Sequence, residues 1–391
     1  MKEWKICKVK DLAIMKNGKK RPNTIGHYPV YGGNGIMDYC NTYNNENTII
    51  IGRVGAYCGN VFYCKGKCWV SDNAIALCAN SNNDITYLYY LLTSLDLHHN
   101  HIGGAQPLMT QDIIGNFDVC VPELETQIQI ANILSSVDKK IELNRQINDN
   151  LEQQAKALYK SWFIDFEPFA DSEFVDSEIG EIPKELRVDH IGSISHRIES
   201  GRRPKGGACD SGVPSVGAEN IKKLGYYDFS KTKYIPTDFA NNITRGKVNG
   251  YELLIYKDGG KPGYFLPSFS IFGDGFPYDV FYINEHVFML DLKNDQYNAF
   301  AYFYMQTDYI MTQLNALGGK AAIPGINTSD VESLPIISYS HPKVQEFGKY
   351  AHDIVKTILR NSRENARLAQ LRDTLLPKLM SGELKINEID C

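Results

Sequence analysis

The sequence predicts an α+β protein: two tandem globular α/β domains separated by two long helices that form an antiparallel coiled coil about a pseudo-twofold axis. Three observations carry this. The chain has 391 residues, enough to fill more than one core. Its first half repeats in its second. Each half also ends in a long apolar pattern with coiled-coil spacing.

The repeat opens near the start. Residues 10–22 (KDLAIMKNGKKRP) match residues 192–204 (GSISHRIESGRRP) in pattern, and both end on two or three cations and a proline. Each copy reads as a short strand and a helical turn followed by a basic loop. Further on, Gly103-Gly104 pairs with Gly318-Gly319, and each pair leads through a polar loop and a short strand (117–121; 334–337) into a long helix. The offset between copies grows from 182 to 215, which places about thirty extra residues inside the second domain. The ends are kept and the middle differs. Two related readers of different ligands would look like this, and so would a simple loop insertion. The glycine pairs serve either as places where backbone approaches a phosphate or as turns with positive φ.

The helices follow. Ile130, Leu134, Val137, Ile141, Asn144, Asn148, Leu151, Ala155, Leu158 and Trp162 alternate steps of four and three. Phe347, Ala351, Ile354, Ile358, Asn361, Asn365, Leu368, Arg372, Leu375 and Leu379 repeat them at a constant offset of 217, asparagines included. In an antiparallel pairing Asn144 faces Asn365 and Asn148 faces Asn361. A buried Asn in a seam costs stability but sets register, because a slip leaves its amide against aliphatic side chains. A parallel pairing aligns the same asparagines, and the other alternative is two amphipathic helices packed separately on their own domains with the asparagines solvated. A tandem duplication paired about a pseudo-twofold axis favours antiparallel helices with a globular domain at each end of a rod about 60 Å long.

Composition sets the class. The formal net charge of -5 is awkward for a nucleic-acid binder, so any such binding falls to local basic patches, and the two basic loops are the candidates. No apolar run approaches a membrane span, and the first ten residues are charged and aromatic, unlike a secretory signal; a cytoplasmic protein is expected. Nine scattered cysteines fit free thiols. Cys58, Cys64 and Cys68 lie close together, but their spacing is not that of a zinc knuckle; small buried hydrophobes are the alternative, and no metal is expected.

Several segments resemble the specificity subunits of type I restriction-modification systems. They are PELETQ (122–127) running into IANILSSVD (130–138), ALYKSWFIDFEP (157–168), GEIP (180–183) and LLPKLMSGEL (375–384). The first half adds YPVYGGNGI (28–36), TIIIGRVG (48–55) and VFYCKGKCW (61–69). The second matches through GRRPKGG (201–207) and VGAENI (216–221) and departs at IYKDGGK (255–261), where the first half carries its arginine-containing strand.

The resemblance implies a first target-recognition domain over 1–122, a central conserved helix over 123–165, a second target-recognition domain over 166–340, a C-terminal conserved helix over 341–384 and a tail over 385–391. Each domain would read one half of a bipartite, asymmetric target on double-stranded DNA. The helices would set the gap and dock two modification (methyltransferase) subunits, with restriction subunits joining in defence against foreign DNA. S-adenosylmethionine, ATP and Mg would belong to those partners, with no cofactor in this chain.

Readout needs forks and amides at base edges, and positioning needs cations at phosphates. In the first domain Lys19, Lys20 and Arg21 are the candidates for positioning, with Tyr31, Asn34, Arg53 and Asn73 for base reading. In the second, Arg202, Arg203 and Lys205 are expected to position, with Glu219, Asn220, Lys261 and Tyr264 nearer the bases. Catalysis by the chain itself is not expected. It has neither the Asn/Asp-Pro-Pro-aromatic motif of amino-methyltransferases nor a phosphate-binding Gly-x-x-x-x-Gly-Lys-Ser/Thr loop. The triplets EWK (3–5) and ELK (383–385) echo nuclease motifs but lack a placed upstream acid. The alternatives are the specificity subunit of a type IIB-like enzyme and a duplicated coiled-coil adaptor that binds only proteins.

Overall fold

The computed structural model describes residues 4–103, 107–319 and 324–386. They fall into two compact units, one drawn from Met1–Lys140 and Leu368–Cys391, the other from Ile141–Arg367. Among the described residues no helix is long and apolar enough to cross a membrane.

In the first unit β1 (Lys5–Lys8), α1 (Val9–Leu12) and β2 (Ala13–Asn17) precede the basic loop. Then come β3 (Tyr28–Gly32), β4 (Gly35–Cys40), β5 (Asn45–Gly52), β6 (Val61–Val70), β7 (Ala74–Ala79), α2 (Ile85–Ser94), α3 (Gln111–Gly115), β8 (Asp118–Val121) and the start of α4 (Leu124–Phe163). The main sheet runs β2-β7-β5-β6-β3-β4, while β1 pairs with β8. Central β5 is buried on both faces, which is why its Ile49, Ile50 and Ile51 run without alternation. On one face Ile49 and Ile51 join Ile75, Leu77, Leu88, Leu91, Ile130 and Leu134 in the main core. On the other, Ile50, Cys64, Cys68 and Val70 form a small cluster, whereas Cys58 sits in the main core. The three cysteines are therefore split between two clusters.

The second unit contains most of α4, β9 (Phe174–Ser177), β10 (Gly180–Pro183), β11 (Val188–His190), β12 (Arg197–Ser200), β13 (Val213–Val216), β14 (Lys233–Ile235), α5 (Thr237–Asn242) and β15 (Leu253–Tyr256). It continues with β16 (Gly260–Lys261), β17 (Tyr264–Phe265), β18 (Ser268–Ile271), β19 (Tyr282–Ile283), β20 (Val287–Asp291), α6 (Asp295–Tyr304), α7 (Asp308–Gly318), α8 (Thr328–Glu332), β21 (Pro335–Ile337) and much of α9 (Pro342–Met380). One sheet runs β12-β20-β15-β18 and another β14-β13-β19. Together they repeat the six-strand order of the first unit, direction by direction, including the parallel pair β3/β6 as β13/β19. The counterpart of β6 is broken into β18 and β19 by residues 272–281. Phe272 and Phe276 of that insertion pack with Tyr227 and Phe229, which lie in the other long insertion, between β13 and β15. The added residues thus bury one another's rings and leave the repeated sheet order intact.

The two long helices supply core as well as seam. Ala155, Tyr159 and Phe163 of α4 and Val344, Phe347 and Ala351 of α9 are buried in the second unit, where Tyr159, Phe163, Phe300 and Phe347 meet with ring centres 5.2–6.0 Å apart. Glu152, also buried, accepts from the Tyr302 hydroxyl at 2.8 Å and pairs with Lys156 at 2.8 Å. Sequence spacing alone assigned Leu158 and Trp162 to the seam; both are half-buried against this core.

Within the second unit α4 and α9 run antiparallel, because rising numbers on one meet falling numbers on the other. Asn144, only 1% exposed, donates through Nδ2 to Asn365 Oδ1 at 2.9 Å and to Glu364 Oε2 at 2.7 Å. Asn365 Nδ2 donates to the Ile141 carbonyl at 3.3 Å. Four residues along, Asn361 Nδ2 donates to Asn148 Oδ1 at 2.8 Å, and Asn148 Nδ2 donates to Ser362 Oγ at 3.2 Å. Each amide is satisfied across the seam, and a slipped register would leave several of them unpaired. In the first unit the Arg372 slot of the seam is occupied by an ion pair to Asp138 at 2.8 Å, and the Tyr90 hydroxyl donates to the same carboxylate. Burial works against the Arg372 charge, but Asp138 and Asp373 more than offset it and raise its pKa.

Candidate nucleic-acid interface

Three backbone segments meet at one end of the main sheet in each unit, held by the same hydrogen bonds. In the first unit Ser71 N donates to the Tyr31 carbonyl at 2.9 Å, Arg53 N to Asn73 at 2.9 Å, Met109 N to Arg53 at 2.8 Å and Gly55 N to Pro107 at 3.0 Å. In the second, Asn284 N donates to Val216 at 2.9 Å, Lys257 N to His286 at 3.1 Å, Ile326 N to Lys257 at 3.0 Å and Gly259 N to Pro324 at 3.2 Å. Arg53 therefore corresponds to Lys257, Ser71 to Asn284 and Asn73 to His286. The segment IYKDGGK, a departure by sequence, keeps the backbone of the arginine-containing strand's end and puts a lysine at the arginine's place.

The basic loops enter at equivalent glycines. The strand registers align Met15 with Ile198 and Asn17 with Ser200, so Gly18 and Gly201 coincide. A Cβ on Gly18 would overlap the Ser71 carbonyl oxygen, and one on Gly201 the Ile283 carbonyl oxygen. Only a residue without a side chain lets the chain cross the sheet end this closely. From Pro107 onward the hydrogen-bonded counterparts lie 217 residues apart, two more than the 215 that separates Gly103-Gly104 from Gly318-Gly319. Gly103 has φ +86°, and Gly104 lies outside the described residues. Gly318 instead ends α7 against the Phe265 ring, and Gly319 caps that helix at φ -77°; neither makes a positive-φ turn.

The candidate residues divide by place. Lys19, Lys20 and Arg21 are exposed on the first basic loop; Lys19 N donates to the Val70 carbonyl at 3.0 Å, and Arg21 pairs with Asp38 at 3.1 Å. Asn34 is exposed in the turn between β3 and β4, Asn73 is exposed beside Arg53, and Arg53 Nη1 donates to the Asp72 carbonyl at 3.4 Å. In the second unit Arg202 and Arg203 line a cleft of about 130 Å³ with Lys233, Asn284, Glu285 and His286. Arg203 lies 3.7 Å from Glu285, and Glu219 pairs with Lys233 at 3.2 Å. Lys205 is exposed on the same basic loop but does not line the cleft. Lys261 and Tyr264 stand exposed on the β16–β17 hairpin, which is anchored to α7 by Asn315 Nδ2 donating to the Phe265 carbonyl at 3.1 Å.

Two expectations are corrected. Asn220 is 0% exposed, and its Oδ1 accepts from Gly217 N at 3.4 Å, so it shapes its own loop and cannot reach a base. Tyr31 packs on the small cluster of Cys64 and Cys68, and burial with those two thiols alongside pushes its phenol well above the ordinary range. Its hydroxyl is turned toward the protein. Sequence reasoning missed Lys233, Lys257, Asn284 and His286. The apolar run VFML (287–290) that follows His286, like AIAL (74–77) after Asn73, was the only sequence signal for the last two.

Comparison with known proteins agrees with this architecture. Residues 1–153 match the model of the type I restriction modification DNA specificity domain. The chain is 26% identical to the type I restriction enzyme MjaIX specificity subunit of Methanocaldococcus jannaschii, over 99% of this chain and 95% of that one. It is 27% identical to the HindI specificity subunit of Haemophilus influenzae, over 72% of each. In fold it is similar to the S subunit of a type I restriction-modification system from M. genitalium, with a TM-score of 0.61, 17% identity and 96% of each chain covered. The chain thus carries a match to the specificity-domain family over its first 153 residues and is similar along nearly its whole length to specificity subunits of type I restriction-modification systems.

Proposed function

We propose that this chain is the DNA-recognition subunit of a type I restriction-modification complex and performs no chemistry itself. Each unit reads one half of a bipartite, asymmetric sequence on double-stranded DNA. The paired helices hold the register between the readers and dock two modification subunits, with restriction subunits joining that assembly. S-adenosylmethionine, ATP and Mg act in those partners. The observation that carries this reading is the duplicated sheet end, where a basic loop, a polar turn and the end of a central strand converge in both units. Cations there neutralise phosphates despite the overall charge of -5. Arg21, Arg203 and Lys233 are each paired with a neighbouring carboxylate, and such exposed pairs are weak enough to yield to a phosphate.

The test uses the two glycines. Gly18→Ala and Gly201→Ala should each displace one basic loop, at a cost of about 1–3 kcal/mol. In complex with the cognate modification subunit, methylation profiles should show each variant losing about tenfold or more of its preference at one half-site and keeping the other. Equal loss at both half-sites by folded variants would contradict two independent readers.

A further inference from the structure

We propose that His286 is a specificity-determining residue of the second unit, contacting a base edge from the position that Asn73 holds in the first. The inference deepens the DNA-recognition reading and rests on it. Both residues close the turn that leads into the strand next to β5 or β15, and each carbonyl accepts from the residue at the arginine/lysine position. Asn73 and His286 are thus presented by one backbone frame, beside the basic loop.

The surroundings of His286 fix it as Asn73 is not fixed. Its Nδ1 lies 2.8 Å from Asp258 Oδ2, at the position occupied by Val54 in the first unit, where no carboxylate is available. Lys257 Nζ, 3.9 Å from the same Asp258 oxygen and 5.1 Å from the centre of the Phe288 ring, helps to hold that carboxylate. With Nδ1 engaged, the half-exposed ring has one nitrogen left, and Nε2 lies 3.6 Å from Glu285 Oε1 at the cleft that Arg203 also lines. An imidazole tied at one nitrogen offers a single hydrogen-bonding group in a set direction. Such a group suits one base-pair edge in a groove, whereas a phosphate would be met by the neighbouring arginines. Asp258 is the positioning residue in this arrangement.

The inference is tested by single-molecule methylation sequencing with the complete subunit and its cognate modification subunit, comparing wild type with His286→Ala, His286→Asn and Asp258→Ala. His286→Ala should lose about tenfold of its discrimination at one base-pair position of one half-site, leaving the other half-site and the melting temperature unchanged. Asp258→Ala should relax the same position less, and His286→Asn should restore selectivity there, for the same or another base. Unchanged preferences in His286→Ala, or an equal fall in methylation at every sequence, would overturn the inference, since the latter marks a phosphate contact or a structural role. If wild type itself shows no two-part motif, the DNA-recognition reading fails and takes this inference with it; a two-part wild-type motif untouched by His286→Ala overturns the inference alone.

Discussion

A chain ending after Arg367 should fail to fold its first unit. That unit is built from both ends of the sequence: Leu379 and Met380 are buried with Ile130 and Leu134, and Leu375, Leu376, Leu384 and Ile386 pack around them. Gly382, at φ +73°, turns the chain onto Trp4, and Arg372 neutralises Asp138. Deletion would uncover the apolar side chains these residues pack against, Ile130 and Leu134 among them, and would leave Asp138 without the Arg372 cation. The milder Leu379→Ala change removes a fully buried side chain and should cost about 2–5 kcal/mol. Hydrogen exchange of the amides in β5 and β7 checks both. The deletion should abolish their protection, and Leu379→Ala should reduce it by the stated free energy. Undiminished protection in the shortened chain would mean that the first unit folds without the end of α9.

Replacing Asn144 and Asn148 together by leucine should keep both long helices but loosen their register. The change removes the cross-seam bonds of Asn144 with Asn365 and Glu364 and those of Asn148 with Asn361 and Ser362, at about 0.5–1.5 kcal/mol for each bond. Leucine burial offsets part of this. It also matches the aliphatic seam positions one heptad away, so the slipped pairing loses its penalty. A slip of one heptad slides one helix past the other by about 10 Å at 1.5 Å per residue. At about 3.4 Å per base-pair step this is roughly three steps of duplex. In the reconstituted complex the double variant should therefore accept half-site spacings that wild type rejects, with helix content unchanged by circular dichroism. Unaltered spacing tolerance in a folded variant would show that the asparagines do not set register.

The parts of this architecture that were legible in the sequence are those whose signal is local. The seam could be read from its steps of three and four, and its offset of 217 extends outward in the structure to Pro107 and Pro324. The basic loops could be read because their cations, glycine and proline are contiguous. The sheet correspondence could not, since it depends on which strands pair across insertions of unequal length. Arg53 and Lys257 differ in sequence surroundings and agree only in the amides and carbonyls they meet. The two glycine pairs illustrate the opposite limit: the dipeptides match at an offset of 215, while the hydrogen-bonded counterparts that follow them lie at 217, so a matching dipeptide alone does not establish equivalence. Asn220 and Tyr31 are polar residues in glycine-rich loops, the pattern of a reader, yet one hydrogen-bonds inward and the other packs on cysteines. Side-chain direction is decided by neighbours distant in sequence, which composition does not reveal.

The most direct test of two readers held in fixed register is single-molecule methylation sequencing of duplex DNA exposed to the wild-type subunit with its cognate modification subunit. The account predicts one motif of two unlike half-sites separated by a non-specific gap of constant length. Methylation at a single undivided motif, or none from a stable and folded complex, would contradict it.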